Sequence, residues 1–332
     1  MRVTVTGATG LIGPQVVAAL RARGDEVTVL TRDPERAHSR LDASTRPPTQ
    51  FSSGDGPPGN GPQGDSVPGV LDTVRWDPLR EPAPSAALAG RDAVVHLAGE
   101  NVAQRWSASA KQAIRESRVT GTSHLVQGIG SLSAEQRPGV LVSSSAIGYY
   151  GAHGDEPIDE DVPAGPDFLA QTCRAWETEA EAAERLGLRV VKVRTGVVLD
   201  RGGGALAKML VPFKLGVGGP VAGGRQYISW VHPHDLMGIV LAAIDDGRWR
   251  GPVNATAPHP QRNRDFSKAL GRVLGRPSLL PVPGAALRLL YGEMSEIVTS
   301  GARVLPAKAL VLGYEFHHPQ LDSALSAALG AG

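Results

Sequence analysis

The stretch RVTVTGATGLIG, residues 2–13, decides the fold of this chain. Its first five residues predict a short apolar strand, the glycines follow at once, and a helix-like run continues to Leu20. Strand character returns at Glu26–Leu30. A strand, a helix and a second strand in close succession predict a βαβ unit, which joins neighbouring strands of a parallel sheet.

The same alternation continues along the chain. A predicted helix begins near Ser107, a second covers Asp167–Leu186, and a third follows Pro233. Because strands and helices alternate with short connections, we predict an α/β fold with a Rossmann-type doubly wound parallel sheet. Further strands are predicted near Thr73–Trp76 and at Ala93–Leu97, Val140–Ser143, Arg189–Arg194 and Pro252–Asn254.

Two segments depart from this alternation. Residues 44–70 are rich in Gly and Pro and poor in apolar side chains, a composition that predicts a flexible insert. Beyond Gly196 the pattern loosens into glycine-rich loops and helices, which predicts a small C-terminal α-rich cap. We therefore predict a Rossmann domain at 1–195 and a substrate-side and helical region at 196–332.

Charge and cysteine content exclude several functional classes. The 34 Lys and Arg residues balance 33 Asp and Glu residues, so no overall field attracts nucleic acid or an anionic membrane. Neither a membrane-spanning run nor a signal-peptide pattern is visible, and we expect a cytoplasmic protein that is a monomer or a homodimer. Cys173, the only cysteine, excludes an intramolecular disulfide and a thiolate metal cluster.

The glycine spacing after the first strand is typical of dinucleotide binding. Gly7 allows a tight turn, Gly10 lets the backbone approach a pyrophosphate, and Gly13 lets the helix pack near the strand. The helix N-terminus adds free N–H donors and a positive dipole end. An ordinary glycine-rich βα turn is the alternative. The predicted contacts in this loop are Gly7, Thr9, Gly10, Leu11, Ile12 and Gly13.

The end of the second strand indicates which dinucleotide binds. Leu30-Thr31-Arg32 lacks the acidic residue that pairs with the ribose 2′-hydroxyl of NAD, whereas the Arg32 guanidinium suits a 2′-phosphate. We therefore predict NADP(H) as the cofactor. The alternatives are a solvated surface charge for Arg32 and, for the neighbouring Asp33, a cap on the helix after Pro34.

Other cofactor contacts are predicted from their positions after strands. Asp77 follows the third strand and suits the adenine amine, although a simple turn residue is an equal alternative. The segment Leu97-Ala98-Gly99-Glu100 ends the fourth strand, where small residues let the nicotinamide half pass close to the backbone.

Several motifs together resemble one protein family. TGATGLIG, SSSAIGYYG and VRTGVVL are similar to the extended short-chain dehydrogenase/reductase superfamily. LAGENVAQRW, ESR at 116–118 and RVLPAKALVLGYEF resemble an atypical branch, the NAD-dependent epimerase/dehydratase-like proteins formerly described as cell-division inhibitors. The resemblance covers nearly the whole chain except the insert. It implies an NADP-binding Rossmann domain, a small helical domain at 263–332, and Arg118 near the cofactor.

The chain departs from the usual chemistry of that superfamily. The expected Tyr-x-x-x-Lys pair is absent, and the corresponding segment begins at Phe168. Without the lysine, no ammonium lowers the pKa of a catalytic tyrosine. The remaining catalytic candidates are the hydroxyls of Ser144 and Ser145 and the phenols of Tyr149 and Tyr150, although aromatic side chains in such loops also pack or line pockets.

Arginine and histidine supply the substrate-side candidates. Arg225 lies where related enzymes contact substrate and would clamp an anion, and His232 precedes a predicted helix. His232 and His234 are two residues apart and His317 is adjacent to His318, so neither pair has metal-ligand spacing and we predict no metal site.

Two functions fit these observations. The first is an NADP(H)-dependent oxidoreductase or epimerase that acts on a small polar metabolite whose identity the sequence does not give. The second is a regulatory protein that binds NADP(H) without turnover, which the missing Tyr-Lys pair favours. A nucleic-acid-binding regulator of the same fold is disfavoured by the balanced charge.

Overall fold

The computed structural model describes residues 1–43 and 69–330. Most of the insert predicted at 44–70 therefore lies outside the described residues. The strands are β1 (Arg2–Thr6), β2 (Glu26–Thr31), β3 (Leu71–Arg75), β4 (Ala93–His96), β5 (Val140–Ala146), β6 (Pro157–Ile158), β7 (Arg189–Thr195), β8 (Val197–Val198), β9 (Tyr227–Ile228), β10 (Trp230–Val231), β11 (Gly251–Ala255), β12 (Gln261–Arg262) and β13 (Arg303–Val304).

Seven of these strands form one parallel sheet in the order β3-β2-β1-β4-β5-β7-β11. The chain moves outward from β1 in one direction to β3 and then crosses back to β4. The gap between the carboxyl ends of β1 and β4 is therefore a topological switch point, where α/β sheets of this kind bind ligands.

Helices cover both faces of the sheet. One buried cluster joins α1, α2 and α6 to inward side chains such as Val5, Val95 and Val142, and a second joins α3 and α4 to Val94 and Leu141. The helices are α1 (Gly13–Ala22), α2 (Pro34–Ala43), α3 (Ala108–Gly130), α4 (Phe168–Glu181), α5 (Gly204–Lys214), α6 (Pro233–Asp245), α7 (Asn263–Leu274), α8 (Gly284–Tyr291), α9 (Glu296–Thr299), α10 (Ala307–Val311) and α11 (Leu321–Leu329).

The predicted fold class is confirmed, with small shifts in element limits. Strand β5 continues three residues past the predicted end at Ser143, and the long helix predicted to reach Leu186 is α4 followed by a 3₁₀ turn at Ala182–Leu186. The N-caps behave as expected: the side chains of Ser107 and Asp167 accept the N–H groups of Ala110 and Ala170.

The C-terminal part forms its own apolar cluster and also returns to the sheet. Helices α5, α7 and α11 pack around Trp230 and Phe266. Strand β13 pairs with β6, and the Ser229 hydroxyl donates to the carbonyl of Ala302 and accepts the N–H of Val304. Because β11 is the outer strand of the central sheet, residues on both sides of the predicted boundary at 195 share one sheet.

Candidate functional site

The glycine loop lies at the switch point, and two of its glycines are required by packing. Gly7 has a φ of +69°, and a Cβ there would lie 2.5 Å from the carbonyl carbon of Leu97. A Cβ on Gly13 would lie 2.4 Å from the carbonyl oxygen of Gly7. A Cβ on Gly10 would meet only that oxygen, at 3.2 Å, and Gly10 is exposed. Packing therefore explains Gly7 and Gly13 but leaves Gly10 open to a ligand.

The start of α1 offers its backbone to an anion. Among the residues that the structure describes, no side chain caps the helix at Ile12, its first turn contains no acidic residue, and Pro14 lies at its start. Uncapped N–H groups with a positive dipole end attract phosphate groups. The side chain of Leu11 lies against Gly203 and Gly204, where a Cβ would overlap it, so the start of α5 closes over the loop.

Arg32 is exposed at the end of β2 and forms no ion pair within the described ranges. The neighbouring Asp33 accepts the N–H of Arg36 and thereby caps α2. Asp77, predicted to contact adenine, accepts the N–H of Leu79 and pairs with Arg80. These bonds hold Asp77 in a turn, and its contact with adenine stays a prediction.

The loop after β4 faces a partly buried arginine. The Arg118 guanidinium lies near Gly99, where a Cβ would be only 3.2 Å from it, and stacks on the Trp176 ring at 5.2 Å. It donates to the carbonyl of Ile114 and, in the part of the chain that the structure describes, has no carboxylate within ion-pair distance. Burial lowers the pKa of Arg118, because a buried cation without a counter-ion is costly. An anion beside Gly99 would relieve that cost.

The two candidate serines at the end of β5 differ in what they contact. Ser144 lines a small internal cavity together with Ile12, Leu97 and Thr195. Ser145 is buried, and its hydroxyl donates to Glu177 Oε1 at 2.6 Å. Ser144 therefore faces the space beside the glycine loop, whereas Ser145 is bonded within the protein.

The two candidate tyrosines flank a buried arginine. The Tyr150 hydroxyl donates to Asn254 Oδ1 at 2.7 Å and accepts from Arg194 Nη1 at 2.9 Å. Burial raises the pKa of Tyr150 to about 12, which suits neither a general acid nor a general base near neutral pH. Tyr149 presents its ring face to the Arg194 guanidinium at 3.5 Å.

Sequence reasoning missed the acidic partners of this cluster. Glu177 on α4 accepts from Arg194 Nε and Nη2, both at 2.9 Å, and the two side chains are almost fully buried. Glu160, also buried, accepts the backbone N–H groups of Asn254 and Lys308. Both glutamates come from polar-looking stretches, so no local pattern distinguishes them from surface carboxylates. We call Ser145, Tyr150, Glu160, Glu177, Arg194 and Asn254 the buried polar network.

The predicted substrate-side residues lie apart from this network. Arg225 is exposed, and no ion pair is seen for it among residues 1–43 and 69–330. His232 caps α6, since its Nδ1 accepts the N–H of His234. Burial and the neighbouring His318 and His234 lower the pKa of His232 to about 3, so the ring is neutral. A contact of either predicted residue with substrate stays a prediction.

Fold and loop together define the class. A parallel sheet in this order, with a glycine loop and an uncapped helix at the switch point, is the framework of Rossmann dinucleotide-binding proteins. The family model described as NAD dependent epimerase/dehydratase family matches residues 3–255, and a domain of unknown function (DUF1731) matches residues 282–328. The chain belongs to the NAD-dependent epimerase/dehydratase family.

Individual relatives agree with this assignment. The chain is 39% identical over 331 residues to an Arabidopsis thaliana protein called epimerase family protein SDR39U1 homolog, chloroplastic, covering 99% of this chain and 87% of the relative. It is 32% identical to human epimerase family protein SDR39U1 (isoform2), whose crystal structure with NADPH has a TM-score of 0.80 and matches over 99% of both chains.

A more distant structure shares the fold alone. UDP-glucuronic acid 4-epimerase from Bacillus cereus has a TM-score of 0.74 and 16% identity, with coverage of 100% of this chain and 98% of that one. Within residues 1–43 and 69–330, no helix has the length and apolarity needed to cross a membrane.

Proposed function

We propose that the chain binds NADP(H) at the switch point, with the pyrophosphate at Gly10 and the start of α1 and the 2′-phosphate at Arg32. The observation that carries this proposal is Gly10, an exposed glycine that the packing of the protein does not require. The exposed Arg32 guanidinium, which forms no ion pair among residues 1–43 and 69–330, supports the phosphorylated dinucleotide. The human relative that crystallised with NADPH supports it as well.

Binding measurements with matched variants test this proposal. Calorimetry of NADPH and NADH with the purified chain is expected to show tighter NADPH binding. Arg32→Gln should weaken NADPH binding by about 10- to 100-fold, the usual value of a lost charge-assisted hydrogen bond pair, and change NADH binding little. Arg40→Gln, which removes an exposed guanidinium on α2, is the control and should leave NADPH binding unchanged. NADH binding as tight as NADPH binding would contradict the assignment.

For turnover we propose an NADP(H)-dependent oxidoreductase or epimerase that acts on a small polar metabolite. A bound nicotinamide supplies or accepts hydride in such reactions. Of the four predicted catalytic groups, Ser144 is the one we retain as a hydrogen-bond donor to substrate, because its side chain lines the cavity beside the loop. The hydroxyls of Ser145 and Tyr150 are bonded within the buried polar network, which favours a positioning role for them.

The second candidate function is NADP(H) binding without turnover. The missing lysine, together with the internal bonds of Ser145 and Tyr150, favours it. Absorbance of NADPH in the presence of carbonyl compounds detects an oxidoreductase. Because an epimerase regenerates its cofactor in each cycle, NMR spectra of candidate substrates are needed to detect epimerisation. Turnover that Ser144→Ala lowers about 10- to 100-fold supports the enzyme. Tight NADPH binding with no turnover by any substrate class supports the binding protein.

A further inference from the structure

Four histidines from two distant segments meet beside the start of α6. His232 and His318 have ring centroids 3.8 Å apart, and His234 and His317 have ring centroids 4.3 Å apart. His232 and His234 lie at the N-cap and in the first turn of α6, and the adjacent His317 and His318 lie between α10 and α11. The expectation of no metal site considered each sequence pair alone, whereas the fold brings the two pairs together.

A buried carboxylate holds these segments in place. Asp235 is fully buried, and its Oδ1 and Oδ2 accept the backbone N–H groups of His317 at 2.8 Å and His318 at 3.0 Å. The Tyr314 hydroxyl adds a bond to the backbone carbonyl of Asp235 at 3.0 Å. Each carboxylate oxygen keeps a further lone pair. The fold therefore fixes an anionic oxygen donor among imidazole rings.

The distances between the donor atoms are close to those in a metal centre. One ligand atom each from His234, Asp235 and His317 lies within 4.8 Å of the other two, and His317 Nδ1 is 3.7 Å from Asp235 Oδ1. Zinc–ligand distances of about 2.0–2.2 Å in a tetrahedral site place neighbouring donors about 3.4 Å apart. The His317 side chain is 64% exposed, so it can approach the other donors without disturbing the core.

We propose that His234, Asp235 and His317 bind one divalent transition-metal ion, for which Zn²⁺ is the probe. Two imidazoles and a carboxylate are a donor set that Zn²⁺ prefers, and a water would complete its four ligands. The ion would join α6, within the region that matches the epimerase model, to the segment that matches DUF1731. It would therefore act as a cross-link between the two parts of the chain.

Calorimetry with metal-free protein tests the site. After dialysis against a chelator, the full chain is expected to bind Zn²⁺ at one saturable site. His317→Gln and His234→Gln should each weaken that binding by about 10-fold or more, since each removes a ligand. His38→Gln removes an exposed histidine from α2 and serves as the matched control, with unchanged binding expected.

Thermal unfolding gives a second readout that a purely structural cluster would not produce. Saturating Zn²⁺ should raise the Tm of the wild-type chain by a few degrees and raise the Tm of His317→Gln clearly less at the same Zn²⁺ concentration. His317→Gln should fold normally without metal, because its side chain is exposed. The proposal is overturned if Zn²⁺ binding is absent, or if His317→Gln and His38→Gln bind it as tightly as the wild type.

Discussion

The glycine loop and the buried polar network lie near each other but are built in opposite ways. The loop consists of seven consecutive residues whose glycines meet backbone atoms of the same segment and of the neighbouring Leu97. The network joins side chains from β5, α4, β7, β11 and the segments that contain Tyr150 and Glu160, and Tyr150 and Asn254, which share a hydrogen bond, are 104 residues apart in the chain. A local sequence pattern can encode the first arrangement, whereas only the complete fold creates the second.

The two regions also differ in what a single substitution removes. In the loop, the backbone makes the close contacts. An added methyl group therefore disturbs the packing of the loop, whereas the loss of a side chain changes that packing little. In the network, the buried charges of Arg194 and Glu177 balance each other, and removal of either leaves the other without its main partner, although Lys192 lies 3.9 Å from Glu177. This difference predicts distinct outcomes for stability and for cofactor binding.

The largest expected effect is the loss of stability in Arg194→Met. It leaves the Glu177 carboxylate buried without its main partner, which costs about 3–5 kcal/mol in the free energy of unfolding. Urea unfolding measures the change. The double variant Arg194→Met/Glu177→Met should recover much of the loss. Arg248→Met, which breaks an exposed pair with Asp246, should leave stability unchanged. A loss in Arg194→Met no larger than in Arg248→Met would contradict the prediction.

Gly13→Ala, in the glycine loop, is expected to lower the free energy of unfolding by about 3 kcal/mol. Its Cβ would overlap the carbonyl of Gly7 and the backbone of Ala8, so strand and helix must separate. Thermal and urea unfolding measure the loss. A normal Tm in this variant would show that the packing of α1 against β1 adapts more easily than the contacts indicate.

Acid should weaken the sheet beneath the loop through His96. This side chain is fully buried between Thr6 and Thr122, and burial lowers the pKa of His96 from 6.5 to about 4. As pH falls below 6.5, the unfolded chain binds the proton first, so this stability is complete above pH 6.5 and is lost progressively toward pH 4.

The two pKa values correspond to a loss of about 2.5 kcal/mol between pH 7.5 and pH 4.5. Urea unfolding at both pH values should show that His96→Gln removes about this much of the pH dependence. Burial also lowers the pKa values of His232 and of the partly buried His234 and His318, and these residues account for part of the pH dependence that remains. An identical pH dependence in the variant and the wild type would exclude this role for His96.

The smallest effect, and the most specific, is expected for Gly10→Ala. Among the described residues, the added methyl group meets one atom, the Gly7 carbonyl oxygen at 3.2 Å, so the Tm should fall less than in Gly13→Ala, whereas the pyrophosphate would lose its close approach. We expect about 10-fold weaker NADPH binding, which is about 1.4 kcal/mol. Calorimetry and a thermal scan on the same sample separate the two outcomes. Unchanged affinity would move the pyrophosphate away from Gly10.

Much of the fold could be predicted from the sequence because its signals are local. Strand β1 was predicted with the limits that the structure gives, and β2 and β4 differ by one residue. The turn from α4 into a 3₁₀ segment at residue 182 was not predicted, because Ala and Glu favour either geometry.

The candidate site also contains residues that local sequence signals indicate and residues that only the fold brings together. The glycines and Arg32 stand directly after strands, where the order of a parallel sheet assigns them a place. Glu177 and the contact of Asp235 with His317 depend on segments far apart in the chain, so no spacing rule indicates them. Ser145 was predicted to follow the strand but lies within β5, and Tyr150 lies in the 3₁₀ turn after it; their partners come from α4, β7 and β11, and no local pattern in the sequence indicates them.

The buried Glu160 has a consequence for the synthesis of this chain. Its carboxylate accepts N–H groups from Asn254 in β11 and from Lys308 at the start of α10. While the ribosome still holds residue 308, the emerging sheet would contain this carboxylate without the second donor, and burial raises its pKa. The segment that contains Lys308 must therefore emerge before this part of the nascent protein reaches its final stability, although most of the sheet has emerged long before.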